Sequence, residues 1–450
     1  MLEIIMVFIS TILPLIIYEK DIVTQLTKQI IDLALIKFDG TTPYIKLDTH
    51  WQKIGRKDLP IIIRNIIAPV DRTKIKSSHI TEVIKRITDD ISLKIDISAA
   101  FWKQQYLMNF KNCIVNLLTG EIIKDRSDCI FDYVIDANYT PNCKLEDAPN
   151  FARFITTSAG IENLECILRS TGYIISSLTK AKKAFFVIGP PDGGKSTYLK
   201  FVASTVSPEL VSSVSFNQMS DSHFVIQYLG KRINVSYDNS PKPMDHEDVF
   251  KSVTSCEEIM GRELYESPVV FIPTLKLIYG SNAPFNFKHP DEALYRRMII
   301  IPFEHSVPPE KQDKNLFNKL MNERDIILSL AAKSLKPLID SGYDFKISDK
   351  GKAYLTSRIA MLHSVEDFFT DRAVCDANGT TPTAVIYNTY VEWCKENALT
   401  PEDKNIFKEH VLGFNPKINY KKVGPKEKRL WGFKGIRLKT TDELNNVEAQ

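Results

Sequence analysis

Gly189, Gly194, Lys195 and Ser196 fall in the spacing GxxxxGK[ST], inside the stretch FFVIGPPDGGKSTYL (185–199). A glycine-rich turn followed by a lysine and a hydroxyl is chemistry suited to phosphate. Backbone N–H groups of such a turn, with the positive end of the helix behind it, converge on a β-phosphate. The lysine reaches the β- and γ-phosphates, and the hydroxyl of Ser196 is placed to ligate magnesium. Pro190, Pro191, Asp192 and Gly193 fill the turn and Thr197 follows it. The expected ligands are ATP and Mg2+.

Hydrolysis needs more than a cradle. Asp238 closes the apolar run RINVSYD (232–238) and is the expected metal carboxylate, holding magnesium together with Ser196. Tyr237 stands where a second acid would polarise water, and a phenol with a pKa near 10 is a poor base at neutral pH. Asp245, Glu247 and Asp248 follow closely as alternative carboxylates. Asn282, after LKLIYGS (275–281), can orient an attacking water. Arg296 and Arg297 precede the strand MIIIPF (298–303); such a pair serves either as salt bridges or as an arginine finger toward a neighbouring subunit.

These residues need strands to end on and helices to start from. AFFVIG, RINVSYD, LKLIYGSN and RMIIIPF are short apolar runs ending in polar or Gly/Pro residues between Ala184 and Phe303. That alternation predicts a mostly parallel sheet flanked by helices. Upstream, HITEVIKRITDDI (79–91) has helical periodicity, NFKNCIVNLLTGEII (109–123) reads as a hairpin at Thr119-Gly120, and helices are expected near 150–157 and 161–178. Downstream, residues 306–375 read as helical, 383–398 and 402–414 as two further helices, and 418–439 as two strands. Tyr387, Tyr390 and Trp393 recur on one helix face and are expected in a core.

The bulk properties narrow the class. A chain of 450 residues with 44% hydrophobic and 25% charged residues reads as globular and divides into several domains. The formal net charge of +3 leaves nucleic-acid binding to local clusters. One exists: Val411–Lys439 holds nine Lys/Arg against a single acid, Glu427. Lys421, Lys422, Lys426, Lys428 and Arg429, interleaved with Trp431 and Phe433, are candidate DNA contacts. Seven scattered cysteines without a CxxC pair fit a reducing, cytoplasmic setting. The opening MLEIIMVFISTILPLII contains Glu3 and Pro14 and is too short for a full span; it is read as a buried or interface helix ahead of the alternative of an anchor or signal, and no membrane partner is expected.

Taken in order, cradle, strand-acid, strand-Asn and Arg-Arg-strand resemble the superfamily 3 helicases of small DNA viruses, phages and plasmids. The phage/plasmid helicase–primase branch related to poxvirus primase-helicases is the most similar. NFKNCIVNLLTGEI resembles that family's helicase-associated segment, with Cys113 where glycine is usual; LRSTGYIISSL, FKSVTSCEEIMGRELYESPVVF and SNAPFNFKHPDEALYRRMIIIPF resemble its later segments. The resemblance implies an AAA+-like P-loop NTPase core with an α-rich N-terminal domain and a C-terminal winged helix. It implies a helical segment at 1–45, a helicase-associated domain at 46–148, the ATPase domain at 149–305, a helical region at 306–375, a winged helix at 376–440 and a disordered tail at 441–450.

The resemblance also implies roles: Lys195 as the Walker A lysine, Asp238 as the Walker B acid, Asn282 as sensor, and Arg297 rather than Arg296 as a finger acting in trans. A hairpin at about Met260–Phe271 would touch DNA in a hexameric ring, through Arg262 and Tyr265, with Lys251 on the preceding helix. The expected protein is an ATP-dependent replicative helicase acting on single-stranded and forked DNA, either without a primase or with its primase or polymerase on a separate chain. The rivals are an ATP-binding, ring-forming initiator or DNA clamp with weak ATPase, and a generic P-loop enzyme acting on a small molecule.

Overall fold

The computed structural model describes residues 5–6, 16, 21–67, 71–239, 244–245, 247–283, 285, 287, 290–308, 310, 312–397, 399, 401–425 and 429–445. The chain divides into two units, one of Met1–Phe285 with Ile301–Ile347, the other of Asn286–Ile300 with Ser348–Gln450. The sequence boundaries at 45/46 and 148/149 fall inside the first of these.

At the start of the first unit, helix Ile22–Leu33 is capped by Asp21, whose carboxylate accepts from the Thr24 N–H at 3.2 Å. The antiparallel strands β1 (Ile36–Asp39), β2 (Thr42–Lys46) and β3 (Trp51–Lys53) follow. Helices Leu59–Ile66 and Ser77–Asp89 present Ile62, Ile63, Ile66, Val83 and Ile87 to a core shared with Leu26, Ile30 and Ile36. Most of the apolar opening stretch lies outside the described residues; Ile5 is buried in this same core, and the Ile16 carbonyl accepts from Gln25 and Gln29. A second antiparallel sheet comprises β4 (Leu107–Asn109), β5 (Ile114–Asn116) and β6 (Ile122–Ile123), the last two joined by the expected turn at Thr119-Gly120.

Helices Pro149–Ser158 and Leu164–Ile175 lead to the main sheet. Its strands are β7 (Ala184–Ile188), β8 (Val211–Ser212), β9 (Ile233–Ser236), β12 (Lys276–Ser281) and β13 (Met298–Pro302), in the order β13-β7-β12-β9-β8. The sheet is parallel, as the alternation of apolar runs and helices predicted. All six residues of β12 are buried, because a central parallel strand is covered on both faces. Between β9 and β12 lies an antiparallel pair, β10 (Ile259–Gly261) and β11 (Val269–Phe271). Helices Leu316–Asn322, Arg324–Lys333 and Leu335–Asp340 close the unit.

In the second unit the long helix Asp349–Arg372 runs into a strand that sequence reading did not expect, β14 (Ala373–Pro382). Its Asp-Ala-Asn-Gly-Thr-Thr composition hides it; a register shift between Asp376 and Thr380 lets these residues bulge. Helices Thr383–Glu396 and Lys404–Phe414 follow, then β15 (Asn419–Val423) and β16 (Leu430–Leu438), in the antiparallel order β14-β16-β15. Tyr390 and Trp393 are buried as expected, Tyr390 stacking on Phe407 at 4.6 Å between centroids. Residues read from sequence as the start of a tail form a short helix, Thr441–Asn445. Its Glu443 pairs at 2.7 Å with Arg437, six residues earlier at the end of β16; residues 446–450 lie outside the described residues. Among the described residues, no helix is long and apolar enough to cross a membrane.

Candidate functional site

The glycine loop begins where β7 is wedged between two neighbours. The Gly189 N–H donates to the Ser281 carbonyl at 3.3 Å, and the Phe303 N–H donates to the Ile188 carbonyl at 2.7 Å. Helix Lys195–Ala203 starts immediately after Gly194, which has φ +86°. That left-handed turn suits glycine, and a β-carbon there would also meet the Phe154 ring at 2.6 Å and Ser158 Oγ at 2.9 Å. Asp192 at the loop's apex has φ 59°, and its carbonyl accepts from the Val307 N–H at 3.1 Å.

Lys195 is only 7% exposed. Its Nζ donates to the Gly189 carbonyl at 2.9 Å and the Pro190 carbonyl at 2.5 Å. Burial holds its pKa below the ordinary lysine value, and the negative charges of Asp192 and Asp238 act in the opposite direction. The strand-end acid and the cradle lysine, 43 positions apart in the chain, therefore share one electrostatic neighbourhood.

Above the loop is a cavity of about 570 Å³. Asp192, Gly193, Gly194, Lys195, Ser196 and Thr197 form its floor. Asn150, Arg153 and Thr157 form one wall, and Val307, Gln312 and Asp313 another. The first wall is helix Pro149–Ser158, whose N-terminus is held by Glu323: its carboxylate accepts from the Asn150 N–H at 3.0 Å, the Asn150 amide at 2.6 Å and the Phe151 N–H at 2.8 Å. A helix N-terminus, a lysine and an arginine on one concave surface can receive a polyanion.

Sequence reasoning missed Asn150, Arg153, Thr157 and Gln312, and no local motif marks them. Asn239 was missed too. It is 5% exposed, and its amide donates to the Ser236 carbonyl at 3.2 Å and the Gly280 carbonyl at 2.9 Å, tying the ends of β9 and β12 together beside Asp238. An amide directly after the strand-end acid was the available signal.

Tyr237 lines a second cavity, of about 670 Å³, with Lys200, Phe317 and Met321 among the walls. Burial raises its phenol pKa, moving it further from use as a base. Asn282 is exposed just past the end of β12, whereas its neighbour Ser281 is buried. Arg296 points to solvent and pairs with Glu292; the Arg297 guanidinium donates to the Ala293 carbonyl at 2.7 Å.

The hairpin of β10 and β11 exposes Met260, Leu264, Val270 and fully exposed Tyr265. Arg262 is tethered at its base, its carbonyl 3.1 Å from His223 Nδ1 and its guanidinium 3.4 Å from His223 Nε2; a ring protonated at Nδ1 satisfies both. Lys251 lies half-buried on helix Glu247–Ser255. In the second unit Lys421, Lys422 and Arg429 are exposed, while Lys426 and Lys428 lie outside the described residues.

Two families match the chain. Residues 28–158 match the family described as D5 N terminal like, and residues 187–297 match a family of unknown function. The first span ends inside the wall that carries Arg153, and the second begins two residues before Gly189. No curated protein matches. Similar solved structures include the A form apo structure of the NrS-1 C-terminal region, with TM-score 0.48 and 12% identity over 91% of this chain and 99% of that one. Another apo structure of the NrS-1 C-terminal region has TM-score 0.48 and 14% identity, covering 92% of this chain and 99% of that one.

Proposed function

We propose that this chain is an ATP-dependent DNA helicase of a virus, phage or plasmid-like replication system, working as a hexameric ring on single-stranded and forked DNA. The observation that carries the reading is the cavity over the glycine loop, in which Lys195, Ser196 and the N-terminus of helix Lys195–Ala203 meet Arg153. The match of residues 28–158 to the D5 N terminal like family supports a replication context. The parallel sheet supports an AAA+-like P-loop core, and the helices and hairpin of the second unit support a winged helix.

In this reading Lys195 exchanges its two loop carbonyls for β- and γ-phosphate oxygens. Ser196 and Asp238 would hold magnesium: a hydroxyl and a carboxylate are hard oxygen donors, and magnesium draws its remaining ligands from phosphate and water. When bound it would neutralise phosphate charge. Asn282 orients the attacking water, and Arg297 of one subunit serves the site of the next after leaving the Ala293 carbonyl.

A second reading, an ATP-binding ring-forming initiator or clamp with weak turnover, is favoured by Tyr237, which gives no second carboxylate beside Asp238. Steady-state ATPase assays with and without single-stranded DNA, paired with strand displacement on forks, decide between them. DNA-stimulated turnover that Lys195→Ala abolishes supports the motor. Nucleotide binding with turnover unmoved by DNA and no displacement supports the clamp, and full turnover in Lys195→Ala removes the cradle from either.

A further inference from the structure

We propose that Tyr420 and Trp431 form a stacking platform for unpaired bases of single-stranded DNA. The site lies in the second unit, and it does not depend on the nucleotide cavity of the first.

Of the nine basic residues in the C-terminal run, sequence alone suggested contacts to phosphate, which any solvated edge strand would also offer. The structure adds an aromatic feature. Tyr420 on β15 and Trp431 on β16 stack with centroids 5.3 Å apart and planes inclined by 11°. Trp431 remains 55% exposed and its neighbour Leu430 58% exposed, so one side of the stack is covered by Tyr420 while much of the indole faces water. Phe433, which the sequence placed beside Trp431 in the same role, is fully buried; two residues along β16 on the same face, it anchors the strand to the core.

The pair is held in place before any ligand arrives. The Thr383 hydroxyl donates to the Trp431 carbonyl at 3.0 Å and reaches the Tyr420 hydroxyl at 3.5 Å. Gly432, next to the indole, sits where a β-carbon would meet the Thr381 carbonyl oxygen at 2.4 Å, so β14 and β16 are packed backbone to backbone there. Fixing two large rings in advance removes most of the ordering cost that a mobile tryptophan would impose on binding.

Charge selects the occupant. Lys422 is the cross-strand partner of Trp431, so its ammonium and the indole share one face of the hairpin. Lys408 places its Nζ 4.0 Å from the centre of the Tyr420 ring. Lys421 and Arg429 are exposed on the same two strands' flanks. An exposed apolar ring pair bordered by cations fits a ligand that is flat and apolar on its faces and negatively charged along its edge. An unpaired nucleotide strand has that character, and a duplex, whose bases are stacked on one another, does not.

The test is fluorescence anisotropy with a labelled fifteen-residue oligothymidylate, using the full chain. Stacking on an aromatic side chain is worth about 1–3 kcal/mol per base, so Trp431→Ala should weaken binding by about tenfold with an unchanged salt slope. Trp431→Phe should retain most of the affinity, and circular dichroism melts establish that both variants are folded. Lys421→Ala with Lys422→Ala should instead lower the salt slope by about 1.4, at about 0.7 per phosphate contact on a single strand. An abasic strand of the same length should bind wild type as weakly as oligothymidylate binds Trp431→Ala, and all titrations are run without nucleotide, which separates this site from the nucleotide cavity. The proposal is overturned if Trp431→Ala binds within twofold of wild type, if the abasic strand binds as well as oligothymidylate, or if a duplex of equal length binds as tightly and loses as much.

Discussion

Gly189 lies so close under Phe303 that a β-carbon on it would sit 1.7 Å from the Phe303 carbonyl oxygen. The first glycine of the loop is thus fixed by contact with the backbone that follows β13, as well as by any phosphate it would cradle. Gly189→Ala must push the loop out of the gap between β12 and β13. Overpacking of this kind costs about 1–3 kcal/mol. The expected outcome is a lowered melting temperature together with loss of nucleotide binding, read by thermal denaturation and by titration with a fluorescent ATP analogue.

Arg153 reaches the same cavity from a helix that Glu323 anchors, and Asp313 is its acidic neighbour across the opening. In the proposed reading its cation serves binding, with Lys195 at the reacting end. Arg153→Ala should raise the KM for ATP by about tenfold while changing kcat less, the pattern of an interaction equal in ground and transition states. An equal fall in kcat and kcat/KM would instead place Arg153 in the chemistry.

The two adjacent arginines differ in their surroundings, and the variants should differ too. Arg296 is 73% exposed and makes an i,i+4 pair with Glu292, an arrangement of little energetic weight. Arg296→Ala should leave turnover within about twofold. A finger contributes about 10³-fold or more to turnover, so Arg297→Ala should retain ATP binding and lose hydrolysis. Mixing it with wild-type subunits should restore part of the activity if the arginine acts on a neighbour's site, and ATPase assays across mixing ratios measure this.

His410 and Glu402 give the second unit a pH dependence. Nδ1 of His410 is 3.0 Å from the Glu402 carboxylate, which raises the imidazole pKa despite partial burial; Glu366 and Glu409 act in the same direction. A raised folded-state pKa contributes stability that is fully present below the unfolded value of about 6.5 and is lost as pH rises through the folded value. The melting transition of this unit should therefore fall on going from pH 6 to pH 8, and the slope should flatten in His410→Gln. Melts followed by calorimetry at several pH values test it.

What the sequence determined by itself was local. The GxxxxGK[ST] spacing placed a tight turn between a strand and a helix, since glycine takes left-handed angles such as that of Gly194 and allows close backbone approach at least cost. Apolar runs with polar ends specified β7, β9, β12 and β13 of the parallel sheet, because a strand buried on both faces leaves a continuous apolar signature; the two-residue edge strand β8 left none. Helical periodicity put Tyr390 and Trp393 in a core. Only the tertiary structure decided which distant residues meet: Arg153 and Gln312 at the cradle, Asn239 bridging two strand ends, Tyr237 lining a second cavity. It likewise decided that Trp431 stays out while Phe433, two positions on, goes in. Strand alternation gives both rings the same face, and whether that face meets core or water depends on where the neighbouring helices end, which no short window of residues records.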